Sequence, residues 1–278
     1  MFDTPALGSG ALMPGAQPFR HDGGPVGVVC CHGFTGTPAS MLPVAEGFAA
    51  AGYSVELPRL PGHGTRWQDL NATRWTDWYA ELRRAVAGML ARCERVYLAG
   101  LSMGGALCLR AAADRPDDVA GLVLINPVVL LRQRASVLLP IVSRVVPSLS
   151  AVTGDIKKPG VTETGYAVTP LRAAASLRAL LRVVRADLPA VTAPTLLFRS
   201  AVDHVLSDVS AHAVLDEIAS TDLTDRVLTE SYHVATLDYD GPRIVAEAVH
   251  WVREHERRST DPGVTAAEPE FASTGGAP

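Results

Sequence analysis

Apolar and polar positions along this chain fall into short continuous runs separated by longer stretches with helical periodicity. Val26 to Cys31 is an unbroken apolar run ending in His32-Gly33, which reads as a strand buried on both faces. Pro38 to Ala51 predicts a helix, with Thr37 as its N-cap and Gly52 just past its end. A short strand over Tyr53 to Leu57 and a Pro/Gly-rich loop over Pro58 to Gly64 follow. From Trp75 to Cys93 the residues Trp78, Leu82, Val86 and Leu90 recur on one helical face. A strand over Val96 to Ala99, a helix over Gly104 to Asp114 and a strand over Val119 to Ile125 complete the first half. This alternation predicts an α/β fold, a mostly parallel central sheet with helices on both faces.

The rhythm then breaks. Residues 127–170 contain no clear strand and carry two apolar patches, VVLL and VLLPIV. Alternation resumes with a helix over Leu171 to Arg185, a strand over Thr195 to Phe198 and a helix over Ser207 to Ala219. A strand over Arg226 to Thr229 and an amphipathic helix over Pro242 to Arg257 close the pattern. The expected organisation is an irregular segment over 1–24, a core formed by 25–126 and 187–258, an apolar cap inserted at 127–186, and a disordered Thr/Gly/Pro/Ala-rich tail over 259–278.

Composition narrows the function classes. A chain of 278 residues suits one large α/β domain or two small domains, and 47% hydrophobic with 19% charged residues is an ordinary globular balance. The net charge of −4 argues against nucleic acid as a partner. The N-terminus lacks the basic start and apolar core of a signal peptide, and the apolar stretch 127–146 is broken by Arg132, Arg134, Pro140 and Arg144, so no spanning helix is expected. Cys30, Cys31, Cys93 and Cys108 follow no metal or redox spacing and read as reduced, buried thiols, which points to the cytoplasm. Contact with a membrane surface would be peripheral, through the cap. A small-molecule substrate is the expected partner, with no metal and no organic cofactor.

Gly100-Leu101-Ser102-Met103-Gly104 is a G-x-S-x-G pentapeptide. Such a pattern arises by chance in a chain this long about one time in ten, so its context decides. Here it follows an apolar strand and opens a helix, the setting of a nucleophile elbow. Ser102 is therefore the candidate nucleophile, against the plainer reading of a serine N-cap. In this order of elements the acid and the base follow the serine. His233 lies in the loop after the last strand and is the candidate base, whereas His212, His250 and His255 fall on predicted helices and read as surface or packing residues. Asp203 lies just past the strand over Thr195 to Phe198 and is the candidate acid; Asp208, Asp238 and Asp240 are its rivals. Asp208 reads as a helix-capping residue and the other two as structural. The oxyanion donors expected are the N–H groups of Met103 and Phe34, the latter in the loop His32 to Gly36, which His32 would order.

Four stretches carry a resemblance to a known family: His32-Gly33-Phe34-Thr35-Gly36-Thr37-Pro38, Leu57-Pro58-Arg59-Leu60 with Gly62-His63-Gly64, Gly100-Leu101-Ser102-Met103-Gly104-Gly105, and Ser231 to Asp240. They resemble bacterial monoacylglycerol lipases of the bacillar type, α/β-hydrolases related to thermostable carboxylesterases. The resemblance runs from about Pro18 to Glu254. It implies Ser102, Asp203 and His233 as the triad and Phe34 and Met103 as oxyanion donors. Within the cap it reaches Asp155-Ile156-Lys157-Lys158-Pro159 and Glu163. It implies that Glu163 lies near the glycerol hydroxyls, against the alternative of a solvated carboxylate, and that Val152 limits the acyl tunnel.

The expected activity is therefore that of a serine ester hydrolase, releasing fatty acid and glycerol from a monoacylglycerol. A broader carboxylesterase or thioesterase would use the same triad, and an acyltransferase would resolve the acyl-enzyme with another nucleophile. A catalytically dead binding protein would have no use for a complete triad.

Overall fold

The computed structural model describes residues 11–131, 139–150 and 154–260. Seven strands form the main sheet: β1 (Phe19–His21), β2 (Val26–Cys31), β3 (Ser54–Leu57), β4 (Arg95–Leu101), β5 (Gly121–Ile125) and, after a two-stranded interruption formed by β6 (Ser148–Ser150) and β7 (Val168–Pro170), β8 (Thr195–Ser200) and β9 (Leu223–Leu228). Their order is β1-β3-β2-β4-β5-β8-β9, parallel except for β1 against β3. The helices are α1 (Leu42–Ala50), α2 (Trp67–Ala72), α3 (Trp75–Leu90), α4 (Met103–Asp114), α5 (Leu139–Val142), α6 (Leu171–Asp187), α7 (Val209–Glu217) and α8 (Gly241–Thr260). This is the α/β-hydrolase fold.

The continuous apolar runs become central strands because both faces of the sheet are covered. Trp78 and Leu82 of α3, Leu107 of α4 and Leu177 and Leu180 of α6 pack on one face. Phe48 of α1 with Ile244, Trp251 and Val252 of α8 pack on the other. Cys30 and Cys31, adjacent in β2, enter opposite cores, as the two-residue period of a strand requires. All four cysteines are free and buried.

Several elements differ from the sequence expectations. The segment over 1–24 is not wholly irregular, because Phe19–His21 adds an antiparallel edge to β3. Three residues carry too little alternation to announce a strand, and only the partner edge makes one. The same reason hides β6 and β7, which pair with each other inside the stretch where no strand was expected. Helix α2 was also unannounced. The helix expected from Pro38 begins as a 3-10 turn, Pro38–Ser40, and becomes α-helical only at Leu42. Thr37 makes no side-chain cap there, because its hydroxyl donates to Thr164 O at 3.0 Å instead. The last helix continues to Thr260; residues 261–278, where most of the expected tail falls, lie outside those described.

The sheet order reverses between β2 and β4, and their carboxyl ends lie side by side, with Cys31 opposite Gly100. In an open α/β sheet, such a reversal leaves a crevice at the strand ends. The loops after β2 and β4 both open there.

Two glycines test this packing. A Cβ on Gly104 would lie 2.1 Å from the Cys31 carbonyl oxygen, whereas one on Gly88, in the exposed face of α3, meets nothing within 4 Å. Gly104→Ala is expected to lose about 1–3 kcal/mol or more of stability through forced backbone movement. Gly88→Ala is expected to gain about 0.5–1 kcal/mol from reduced unfolded-state freedom. Urea unfolding of both variants checks the pair; equal behaviour would contradict the close approach at Gly104.

Candidate active site

The turn between β4 and α4 is built by exclusion. Ser102 has φ 54° and ψ −115°, a strained backbone for a residue with a side chain. The strain is sustained by close contacts that only glycine permits: a Cβ on Gly100 would sit 2.5 Å from the Gly104 carbonyl carbon, and one on Gly104 would strike the end of β2. Ser102 N–H donates to Ile125 O at 3.0 Å and Ser102 O accepts from Val128 N–H at 3.2 Å. These bonds tie the elbow to the end of β5. Ser102 is thus presented at the N-terminus of α4, where the helix dipole favours negative charge.

His233 Nε2 lies 3.0 Å from Ser102 Oγ, and His233 Nδ1 lies 2.7 Å from Asp203 Oδ2. A carboxylate accepts only, so the Nδ1 proton points to Asp203 and Nε2 is free to accept the serine proton. Both side chains are about nine-tenths buried. Burial pushes the Asp203 carboxyl up, but the His233 hydrogen bond and the N–H groups of Leu206 and Val205 outweigh it and hold it below the ordinary value. Those two N–H groups reach Asp203 Oδ1 at 2.7 and 2.8 Å. The sequence-predicted trio is therefore in hydrogen-bond contact.

The rival carboxylates lie elsewhere. Asp238 accepts four backbone N–H groups, from Lys157, Lys158, Tyr232 and Tyr239. Asp240 accepts from Glu230 N–H. Asp208 flanks α7 without a side-chain cap. His255 is buried against Trp251 and Asp222, whereas His212 lies on α7 and His250 on α8.

The loop after β2 brings Gly33 against the serine, since a Cβ there would lie 3.5 Å from Ser102 Cβ. His32 spans the base of this loop, with Nδ1–H donating to Gly33 O at 3.0 Å and Nε2 accepting from Leu60 N–H at 3.1 Å. Burial pushes the His32 imidazole down to about 4, which keeps it neutral and able to make both bonds. Thr35 sits at φ 62°, and its carbonyl accepts from Tyr166 N–H at 3.1 Å. The N–H groups of Phe34 and Met103 have no acceptor among the described residues.

Glu163 approaches this same loop. A Cβ on Gly36 would lie 2.6 Å from Glu163 Oε1, so the glycine makes room for the carboxyl. Desolvation pushes the Glu163 carboxyl up to about 7, the nearby His233 pulling slightly the other way. As a residue Glu163 is partly exposed. Val152 lies outside the described residues.

Asn126 is a neighbour of the site that periodicity does not single out. Its backbone has φ 42°, and its amide donates to His233 O at 2.8 Å and Ser200 Oγ at 2.9 Å while accepting from Ser200 N–H at 2.8 Å. It fixes the histidine loop to the end of β8. The available signal was a polar residue ending an apolar run directly before Pro127. Among the described residues, no cluster of His, Cys, Asp or Glu is arranged to hold a metal ion, and no helix is long and apolar enough to cross a membrane.

The family model described as serine aminopeptidase, S33 (Hydrolase_4) matches residues 26–240. The chain is 39% identical over 251 residues to a thermostable monoacylglycerol lipase of Bacillus sp. (strain H-257), covering 88% of this chain and 97% of that protein. It is 25% identical to a carboxylesterase of Bacillus subtilis (strain 168), over 80% and 90% of the two chains. A solved structure from the metagenome-derived lipolytic enzymes LipS and LipT superposes with a TM-score of 0.86 at 38% identity, over 88% of this chain and 100% of that one.

The raised Glu163 carboxyl has a stability consequence. Because its folded value, about 7, lies above the unfolded value of 4.5, the protein is favoured by Glu163 protonation below pH 4.5 and loses stability as pH rises toward and through 7. Glu163→Gln removes that loss. The variant is expected to gain on the wild type by a few kcal/mol, about 1.4 per pH unit at most, between pH 5 and 8. Urea unfolding at pH 5, 6.5 and 8 measures it; parallel pH profiles would show that Glu163 carries no such shift.

Proposed function

We propose that this chain, a serine ester hydrolase belonging to the Hydrolase_4 family of α/β-hydrolases, cleaves monoacylglycerols to free fatty acid and glycerol through an acyl-enzyme on Ser102. His233 Nε2 takes the Ser102 proton as Oγ attacks the ester carbonyl. The N–H groups of Phe34 and Met103 receive the oxyanion, and the dipole of α4 adds to them. His233 then passes the proton to the departing glycerol oxygen, so the leaving group departs neutral. A water deprotonated by the same ring attacks the acyl-enzyme, and the fatty acid leaves. Asp203 holds the ring in the tautomer that accepts at Nε2 and stabilises the imidazolium formed in each half-reaction. Neither half-reaction calls on a metal or an organic cofactor.

The observation that carries the substrate reading is the Glu163 carboxyl, desolvated against the oxyanion loop and without a hydrogen-bond donor among the described residues. The two free hydroxyls of a monoacylglycerol supply such donors, whereas a triacylglycerol has none and leaves the carboxyl unpaired. Residues 127–186 are read as the cap that shelters the acyl chain, each buried methylene contributing about 0.8 kcal/mol. Val152 belongs to that cap and is read as limiting the depth of the acyl tunnel. Ile141, Val145 and Leu149, all exposed, give the cap an apolar outer surface suited to transient contact with a membrane, where the substrate resides. The four free cysteines support a cytoplasmic location.

Ser102→Ala is expected to lower ester hydrolysis on the order of 10⁴-fold or more with the fold intact. Asp203→Asn is expected to impair kcat far more than a comparably folded Asp238→Asn, because only Asp203 touches the imidazole. Initial rates beside circular dichroism check both, and a reversed order for the two aspartates would overturn the acid assignment. Glu163→Ala is expected to lower kcat/KM for a monoacylglycerol about tenfold while barely changing the rate on a p-nitrophenyl ester, which lacks glycerol. Equal losses on both substrates would instead favour a broader carboxylesterase, with Glu163 serving the fold.

A further inference from the structure

The backbone around His233 is held more completely than a loop ordinarily is. Tyr232 N–H donates to Asp238 Oδ2 at 3.0 Å, His233 N–H to Asp155 Oδ2 at 3.2 Å, and Val234 N–H to the Asp155 carbonyl at 3.1 Å. On the acceptor side, Tyr232 O receives Ser200 Oγ and His233 O receives the Asn126 amide, each at 2.8 Å. Three successive N–H groups therefore end on two aspartates, and one of these, Asp155, comes from the stretch between β6 and β7.

Asp155 also reaches the acid side of the site. Its Oδ2 accepts the N–H of His204 at 3.0 Å, and its Oδ1 pairs with His204 Nδ1 at 2.8 Å. His204 directly follows Asp203, and its ring packs edge-on against Tyr232, which directly precedes His233. The Asp155 side chain is only 8% exposed although His204 is largely in solvent. The bonding is reciprocal. Asp155, from the proposed cap, takes N–H groups of the core loops, while Asp238, from the core, takes the N–H groups of Lys157 and Lys158 in the proposed cap at 2.6 and 2.9 Å. Gly154, one residue before Asp155, packs 3.7 Å from the Glu163 backbone nitrogen, measured to an ideal Cβ, so the clasp begins beside the proposed head-group carboxyl.

From this geometry we infer that Asp155 is a positioning residue for the reaction: by holding the N–H of His233 and of His204 on one carboxylate oxygen, it fixes the distance between the base and the acid. This rests on the proposed role of His233. A ring displaced by about 1 Å from its line with the nucleophile costs up to about 100-fold in rate without touching substrate affinity. Asp155 itself need not contact the substrate.

The test compares Asp155→Ala, Asp155→Asn and His233→Ala in the full chain. Each is assayed for kcat and KM on p-nitrophenyl butyrate and for the rate at which a p-nitrophenyl phosphonate inactivates Ser102, with thermal melting to establish folding. Asp155→Ala is expected to lower kcat and the phosphonylation rate together, about 10- to 100-fold, with KM within about twofold. Asp155→Asn is expected to recover most of this, because its amide oxygen still accepts from both N–H groups. If the alanine variant does not fold, Asp155→Ser carries the same expectation, being polar but too short to reach both donors. An unchanged kcat, a loss confined to KM, or an asparagine variant as slow as alanine would each overturn the inference. His233→Ala separates the two levels: if it is inactive while Asp155→Ala is normal, only the positioning role falls; if it is fully active, the reading of the site falls with it.

Discussion

The approach of α4 to the end of β2 is the contact on which the site depends. Gly104 lies so close to Cys31 O that no side chain fits between them, and Gly100 is equally tight against Gly104. With helix and strand ends pressed together, the chain can turn from β4 into α4 only through the left-handed backbone of Ser102. The same approach decides which loop supplies the second proposed oxyanion donor. β2 is the immediate neighbour of β4, so the residues leaving β2, His32 to Gly36, have to pass beside the serine. Packing stability elsewhere in the molecule, in two cores on either side of the sheet, offsets a strain of about 1–3 kcal/mol at this one residue.

Buried aspartates hold what the sheet does not. Asp203, Asp155 and Asp238 each accept at least three hydrogen bonds, most of them from backbone N–H groups of the loops that follow β8 and β9. A loop beyond a strand end has lost its ladder partners, and its N–H groups need acceptors once they are buried. A carboxylate supplies several acceptor sites within a few ångströms, more than a carbonyl can. The aspartates therefore act as substitutes for the missing ladder, and of the three only Asp203 directs an oxygen at the imidazole that faces Ser102.

What was legible in the sequence follows the same division. The central strands, the long helices and the trio Ser102, Asp203 and His233 were readable because each is written locally: an apolar run, a 3.6-residue period, or a polar residue at the end of a strand. Strands β1, β6 and β7 were not, since three residues acquire an extended conformation from the edge they join. Thr37 misled in a similar way. Its position fits a helix cap, but its hydroxyl is spent on Thr164, 127 residues away. The tasks of Asn126 and Asp155 were equally hidden, because their partners lie across the sequence and only the assembled strand ends bring them together.

The histidines show how environment, and not residue type, distributes function. His32 and His63 are fully buried with edge-to-face rings 5.0 Å apart, and burial lowers both. A neutral ring with one donor and one acceptor suits the structural position of His32 between Gly33 O and Leu60 N–H. A charged ring there would lose the Leu60 bond, since its Nε2 would become a donor. His233 is nearly as buried, yet one of its nitrogens faces the Asp203 carboxylate and the other the Ser102 hydroxyl. The carboxylate is the difference between the surroundings of a histidine that braces the loop after β2 and those of the proposed base. The role proposed for Asp203 is thus more than orientation. In the proposed reaction its carboxylate balances the imidazolium formed when the serine proton is taken.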